Sequence, residues 1–258
     1  MEPTELQQII ARVASVGPIK VWSVVVSVLG DLMQSADDTL GASQLDALVA
    51  PMGINNQALR VAVHRLRNDG WVDTQRQGRR SRYQLTARGW AETERVRPDI
   101  YGAAPQPNGK CVFLAVGPPH LAAPDFAAQL PKDSVVLTSR SGLVAGRDGI
   151  PLDWLCAPYE DRSMPDWGKA AVVPESLARE YEALRAIVEP LLSLPMPSEG
   201  LECAALRLAV LHHWRRLRLR HGALPDLVLG EDWAGARCRL VVLEALSRFA
   251  RPELSALE

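Results

Sequence analysis

Residues 53–86 read GINNQALRVAVHRLRNDGWVDTQRQGRRSRYQLT and decide the fold of the first third of the chain. The pattern predicts a helix, a tight turn and a β-hairpin. The Asn55 and Asn56 pair marks the helix start, because an Asn side chain accepts hydrogen bonds from the free N–H groups of a first turn. Gly70 ends the helix, and residues 72–76 and 81–85 are predicted to form the two strands.

The predicted helix has one apolar and one polar face. Apolar side chains recur at the 3.6-residue spacing of a buried face, namely Leu59, Ala62, Val63 and Leu66. The opposite face carries Gln57, Val61, His64 and Asn68, with Arg60 and Arg65 beside it. Arginine can bind guanine, and Asn or Gln can bind adenine, through two hydrogen bonds in the major groove of DNA. The helix therefore suits base recognition.

The hairpin is strongly basic. Four arginines fall within seven positions, which suits contact with phosphates or with a minor groove. From residue 60 to residue 97 there are ten Arg and four acidic residues, although the whole chain has a net charge of −1. A basic stripe on one domain is a better sign of nucleic-acid binding than the charge of the whole chain. The alternative interpretation is a solvated amphipathic helix beside a basic loop.

Ten side chains are candidates for DNA contact: Asn56, Gln57, Arg60, His64, Arg65, Arg76, Arg79, Arg80, Arg82 and Tyr83. The first four are candidates for base contacts, because the N-terminal half of a recognition helix enters the groove. Arg65 is assigned to phosphate, and Asn55 to the helix cap. His64 is equally well explained as a surface histidine in contact with water, and Tyr83 as part of the hairpin core.

Length and composition are typical of a soluble protein. The 258 residues predict two or three domains, with 47% hydrophobic and 23% charged residues. The N-terminal residues lack the features of a signal peptide, and the apolar run at 21–32 is too short and too interrupted to span a bilayer. The cysteines (Cys111, Cys156, Cys203 and Cys238) are widely spaced. This spacing favours buried thiols in a cytoplasmic protein over disulfides or a zinc site.

The order of predicted elements indicates a mainly helical α+β protein of three domains. Residues 1–99 follow the order helix, helix, turn, helix, hairpin, which is that of a winged helix-turn-helix DNA-binding domain. Residues 100–173 are predicted to be a small α+β middle domain that ends in a Pro-rich segment, in which 150–174 shows no clear period. Residues 174–258 are predicted to be a helical C-terminal domain, with a loop at 222–235.

Other residues of the C-terminal half have two possible readings. A second basic run comprises Arg215, Arg216, Arg218, Arg220 and His221. It could contact an acyl-CoA phosphate or DNA, but such a run is more typical of a solvated helix face or an intersubunit surface. Adjacent His212 and His213 point about 100° apart on a helix and make a poor chelating pair. Trp154 and Trp167 could line a ligand pocket, and plain packing is the preferred interpretation.

Several motifs resemble the PaaX-like family of bacterial transcriptional repressors, which control phenylacetic acid catabolism. In the N-terminal part these are APMGIN (50–55), GRRSRYQLT (78–86) and RPDIY (97–101). In the C-terminal part they are LHHWRR (211–216), LPDLVL (224–229) and DWAG (232–235). The resemblance is strong at both ends of the chain and weaker in the middle.

The resemblance implies a homodimeric repressor that binds palindromic double-stranded operator DNA. It also implies release by an acyl-CoA effector, phenylacetyl-CoA in the founding members, and a ferredoxin-like middle domain similar to the small nuclease of CRISPR adaptation. Residues 111–150 depart from that pattern because they are short and lack the basic helix expected there. The effector-binding residues are unknown from the sequence.

Catalysis is not expected. The sequence lacks the common hydrolase, zinc-protease and phosphate-loop motifs. A metal-dependent nuclease needs a carboxylate near the end of the 111–116 strand, whereas that strand ends in Ala-Val-Gly. The sequence therefore predicts no enzyme activity, no cofactor, no metal and no membrane partner. The alternative to an effector-controlled repressor is a constitutive or architectural DNA-binding protein.

Overall fold

Helices and two small antiparallel sheets make up the fold, which is of the α+β class. A computed structural model of the chain describes residues 3–78, 80–102, 111–160, 163–195 and 200–257. The chain divides into two compact units. The first consists of Met1–Tyr101, Ala183–Arg216 and Leu240–Glu258, and the second of Gly102–Glu182 and Leu217–Arg239. This division does not test the prediction of three consecutive domains, which remains a prediction.

The N-terminal part of the first unit contains five α-helices and a three-stranded sheet within its described residues. In chain order the elements are α1 (Pro3–Ala14), α2 (Val21–Leu32), β1 (Leu40–Gly41), α3 (Ala42–Val49), α4 (Asn56–Asn68), β2 (Val72–Gln77), β3 (Arg80–Leu85) and α5 (Ala87–Tyr101). A short 3-10 helix at Ala50–Met52 joins α3 to the turn before α4. The helix and hairpin predicted in residues 53–86 are confirmed.

Local signals fix both ends of α4. The Asn55 side chain accepts a hydrogen bond from the N–H of Ala58 at 2.8 Å, so the predicted cap is confirmed. At the other end Gly70 has a φ of 69°, and its N–H donates to the Arg67 carbonyl. The N–H of Trp71 donates to the Leu66 carbonyl at 2.9 Å, which completes a Schellman motif. The chain can therefore turn directly from α4 into β2.

The three-stranded sheet has the order β1-β3-β2, with antiparallel neighbours. In the hairpin Val72 pairs with Leu85 and Thr74 with Tyr83. Beyond β3, Thr86 accepts a hydrogen bond from the N–H of Gly89 at 3.0 Å and so caps α5. Helix α5 then continues to Tyr101.

A buried ion pair joins α2 to the C-terminal helices of the first unit. Those helices are the part of α9 (Leu201–His221) up to residue 216 and the part of α11 (Ala234–Arg248) from residue 240. The Arg207 guanidinium donates to both carboxylate oxygens of Asp31, at 2.7 and 2.9 Å. Tyr101 and Arg251 also donate to this carboxylate. Burial raises the pKa of Asp31, but the hydrogen bonds and charge of Arg207 more than offset that effect and lower it.

Two histidines of α9 are buried in the first unit and neutral. His212 Nδ1 lies 3.2 Å from Ser27 Oγ, and His213 Nε2 lies 3.2 Å from the Ala14 carbonyl oxygen. Burial is the main cause that lowers the pKa of His212 to about 3 and that of His213 to about 4. Both side chains are 1% exposed. They pack α9 against α1 and α2 rather than forming a ligand site.

The second unit is built on a four-stranded antiparallel sheet in the order β5-β6-β4-β7. Its strands and the helices that lie wholly within it are β4 (Val112–Val116), α6 (Ala123–Gln129), β5 (Ser134–Thr138), β6 (Ser141–Ala145), β7 (Leu155–Pro158), α7 (Asp166–Val172) and α10 (Leu224–Leu229). Helix α8 (Glu175–Val188) begins in this unit. Trp154 stacks on Phe126 with ring centroids 4.6 Å apart, so its predicted packing role is confirmed.

Several expectations for the C-terminal half are wrong. Arg218 is buried and donates to Asp226 at 2.7 Å, and Arg239 contacts the same carboxylate oxygen, so Arg218 is not on a solvated face. Trp167 is 59% exposed rather than packed. The predicted loop at 222–235 contains α10, and the unassigned segment contains β7 and α7.

Candidate nucleic-acid interface

The outer face of α4 is open to solvent. Its exposed side chains are Asn56, Gln57, Arg60, Val61, His64, Arg65, Arg67 and Asn68. The inner face is buried, with Leu59, Val63 and Leu66 each at most 4% exposed. This separation follows from the helical spacing of the apolar residues. All the α4 residues that the sequence predicted to contact DNA therefore lie on the exposed side of the helix.

Asn56 is directed towards the preceding helix. Its amide donates to Asp46 Oδ1 of α3 at 3.0 Å, although both groups remain accessible. This contact links α3 to the start of α4. Gln57, one residue further on, is exposed and has no hydrogen-bonding side-chain partner within the described part of the chain. The two amides predicted to read bases thus differ in availability.

Arg65 is held on the α2 side of the α4 surface. Its guanidinium lies 5.4 Å from the centre of the Trp22 ring and 3.6 Å from Asp69, and its side chain stays 63% exposed. An exposed pair of this kind contributes little to stability. The contacts hold the cation in place and leave it accessible to an external anion.

Arg60 and Arg67 lie towards the hairpin. Partial burial raises the pKa of Tyr83 on β3, and the nearby charges of Arg60 and Arg67 oppose that rise. The phenol is therefore neutral and half-buried between strand neighbours. Neither arginine forms an ion pair with any described residue. Arg67 was not among the sequence candidates, although its seven-residue separation from Arg60 places both on the same side of the helix.

The hairpin arginines have different surroundings. Arg76 is exposed on β2. Arg82 is half-buried and donates to the Thr39 hydroxyl at 2.7 Å and to the Thr39 carbonyl at 3.1 Å, so it ties β3 to the segment before β1. Arg79 and the Arg80 side chain lie outside the described residues, and their proposed contacts stay predictions.

A shallow apolar groove borders the α4 surface on the α2 side. It has a volume of about 470 Å³, and Val21, Trp22, Ala58, Val61 and Arg65 are among the residues that line it. Val61 is 66% exposed at its edge. The sequence placed Val61 on the polar face but gave it no role.

Metal-binding clusters, thiols and membrane-spanning helices were the other features that the sequence raised. In the described part of the chain, no group of three or more His, Cys, Asp and Glu is placed to hold a metal ion. Cys203 and Cys238 are buried, whereas Cys111 is exposed and Cys156 half-buried, so the expectation of buried thiols is wrong for two of the four. Among the described helices, none combines the length and apolar character needed to cross a bilayer.

Comparison with known proteins returns matches at both ends of the chain. The family described as PaaX-like protein matches residues 20–89, and the PaaX-like protein C-terminal domain matches residues 174–255. The transcriptional repressor PaaX of Escherichia coli (strain K12) is 24% identical over 282 aligned positions, covering 98% of this chain and 87% of that protein. The uncharacterized protein Rv0674 from Mycobacterium tuberculosis is 21% identical, with a TM-score of 0.48 and coverage of 88% of this chain and 94% of that one.

Proposed function

Since the chain belongs to the PaaX-like family, we propose that it is a transcriptional repressor that binds double-stranded operator DNA through a winged helix-turn-helix in residues 1–99. The observation that carries the proposal is the outward face of α4, where amide and arginine side chains stand together beside a basic hairpin. The family match at 20–89 includes all of α4 and the hairpin.

The dimensions of α4 suit the major groove. Its 13 residues span about 20 Å at about 1.5 Å per residue. A major groove about 12 Å wide admits one helix. In our proposal α3 and the turn at Gly53, whose φ of 80° allows the sharp change of direction, set the angle at which α4 enters. Gln57, Arg60 and His64 then face base edges.

The hairpin acts as the wing in this arrangement. Arg76 is exposed, and the charges of Arg60 and Arg67 act on Tyr83 of β3. In our proposal these arginines bind the phosphates on the hairpin side of the groove. Arg82 supports the wing from within through its hydrogen bonds to Thr39. We therefore reassign Arg82 from DNA contact to positioning of the wing, and retain Arg79 and Arg80 as tip contacts.

The middle sheet is interpreted as a reduced ferredoxin-like fold. Its strands, numbered along the second unit, run in the order 2-3-1-4 with antiparallel neighbours, and α6 connects the first two. Residues 146–154, all of them described, contain no helix where a complete ferredoxin-like fold places its second one. No carboxylate follows β4 directly, since residues 117–119 are Gly-Pro-Pro. This supports a regulator rather than a nuclease.

The regulatory part of the proposal is carried over from the family resemblance. A cytoplasmic homodimer binds a palindrome upstream of an aromatic or phenylacetate catabolic operon, and an acyl-CoA such as phenylacetyl-CoA releases it. The effector can do this only if it binds the released state more tightly than the DNA-bound state. If the two α4 helices of a dimer bind the same face of DNA, the centres of the two half-sites must lie about one helical turn apart, which is about 10 base pairs, or a multiple of that distance.

Selection from a pool of random duplexes, followed by anisotropy titration at several salt concentrations, tests the DNA-binding function. The wild-type protein should enrich one palindrome. Arg67→Ala and Arg76→Ala should each weaken binding and reduce the slope of log K against log salt by about one. Arg179→Ala on α8 is the matched control, because Arg179 is also largely exposed but lies outside α4 and the hairpin. Equal slopes for all four proteins would contradict the proposed surface.

A panel of acyl-CoA thioesters added to the protein–operator complex tests release. Loss of binding with one thioester and not with free CoA supports an effector-controlled repressor. Selective binding that no thioester relieves would favour the constitutive or architectural alternative. Light scattering of the free protein and of the complex tests the homodimer directly.

A further inference from the structure

One apolar side chain on the outer face of α4, Val61, is open to solvent beside the groove on the α2 side. Val61 is 66% exposed and lies one helical turn after Gln57 and close to His64 on the same face of α4. Single exposed valines are common on protein surfaces and by themselves need no partner. The surroundings of Val61 are what distinguish it.

Cationic side chains lie on both sides of Val61. Arg60 and Arg67 lie on the side of the hairpin, as their effect on Tyr83 indicates. Arg65 lies on the side of α2, where it is held by Trp22. An apolar side chain flanked by positive charges is complementary to an apolar group flanked by negative charges.

The major groove of DNA has that arrangement wherever a thymine occurs. Its edges are phosphates, which arginines bind. Among the groups that base pairs present in the major groove, the thymine 5-methyl is the apolar one.

Resting on the proposed function, we propose that Val61 is a specificity-determining residue that contacts the 5-methyl group of a thymine in the operator. The two methyl groups of valine present a compact apolar surface at the height of Gln57 and His64, which hydrogen-bond to neighbouring bases. The contact discriminates thymine from cytosine at one position of each half-site. The groove beside Trp22 provides apolar surface on which the same methyl group can rest.

Deoxyuridine scanning tests this contact. The duplex selected by the wild-type protein is resynthesised with each thymine replaced in turn by deoxyuridine, which pairs identically and lacks only the methyl group. Affinities are measured for wild type and for Val61→Ala. Loss of one buried methyl is expected to weaken wild-type binding about fourfold at one position per half-site. At that position Val61→Ala should bind the thymine and uracil duplexes equally.

Leu240→Ala is the matched control. Leu240 lies on α11 and is 66% exposed, the same fraction as Val61. This variant should keep the fourfold preference for thymine, whatever its overall affinity.

An undiminished thymine preference in Val61→Ala would overturn the contact while leaving the repressor function intact. Failure to enrich any duplex from the random pool would overturn the repressor function itself. Wild-type binding that is indifferent to uracil at every position would also overturn the contact.

Discussion

Two sets of arginines in this protein have the same chemistry and opposite surroundings. On α4, Arg60, Arg65 and Arg67 are exposed. In the C-terminal helices, Arg207, Arg218 and Arg239 are at most 4% exposed, and each donates to the carboxylate of a buried aspartate. The buried set is paired with carboxylates within the protein, because an unpaired charge in the interior is costly. The exposed set keeps its charge available for an external anion.

The difference shows why a count of basic residues does not identify a binding surface. The run at 215–221 is as basic as the hairpin. Its central Arg218 nevertheless serves an internal carboxylate, and Arg220 pairs with Glu180 at 2.7 Å. The partner of each arginine, rather than its charge, decides whether it can bind DNA.

The largest expected effect comes from breaking a buried pair. Asp31→Leu leaves the Arg207 cation without its carboxylate and should lower the free energy of unfolding by about 3–5 kcal/mol, measured by urea denaturation. Asp31→Leu combined with Arg207→Met should be more stable than Asp31→Leu alone. Asp69→Asn, which breaks the exposed pair with Arg65, should change stability by less than about 1 kcal/mol.

Comparable losses from Asp31→Leu and Asp69→Asn would contradict the division into buried structural and exposed functional arginines. If Asp31→Leu does not fold, the milder Asp31→Asn gives the same comparison. Its amide keeps the shape and some of the hydrogen bonds while removing the charge.

Lowering the pH should destabilise the first unit through its two buried histidines. The pKa values of His212 and His213 are lowered from 6.5 to about 3 and about 4, so the unfolded chain takes up protons first. Their contribution to stability is complete above pH 6.5 and is lost as the pH falls from 6.5 to about 4 for His213 and to about 3 for His212. At pH 5 the two together should cost about 4 kcal/mol. Urea titrations of wild type and His212→Gln/His213→Gln from pH 8 to pH 5 measure this loss. An equally steep fall in the double variant would contradict the assignment.

Removing one exposed arginine should affect binding rather than folding. Arg60→Ala should weaken binding to the selected duplex by about 1–3 kcal/mol if Arg60 contacts a base. Its free energy of unfolding should stay within about 0.5 kcal/mol of wild type, as is usual for surface substitutions. Equal losses of affinity on the selected and random duplexes would place Arg60 on phosphate instead.

The smallest effect is expected at the helix cap. Asn55→Ala removes the acceptor for the Ala58 N–H and should cost about 1 kcal/mol of stability. Asn68→Ala at the other end of α4 removes a solvent-exposed amide and is the control. If Asn55→Ala lowers the free energy of unfolding no more than Asn68→Ala does, the Asn55 cap does not stabilise α4.

The sequence by itself determined the elements around residues 53–86. The spacing of Leu59, Val63 and Leu66, the cap at Asn55 and the stop at Gly70 are local signals, so helix α4, its exposed face and the hairpin follow from neighbouring residues. It also indicated the family through motifs at both ends. It did not resolve the segment at 150–174, where a short edge strand and a seven-residue helix lack a detectable period.

Only the tertiary structure decided which arginines remain available. Asp31 and Arg207 are 176 residues apart, and the Thr39 partner of Arg82 lies 43 residues before it. Such pairings leave no periodic signal, because they depend on which faces of distant helices and strands come together. Side-chain burial and pairing are properties of the packed chain, whereas helix and turn formation are properties of short segments.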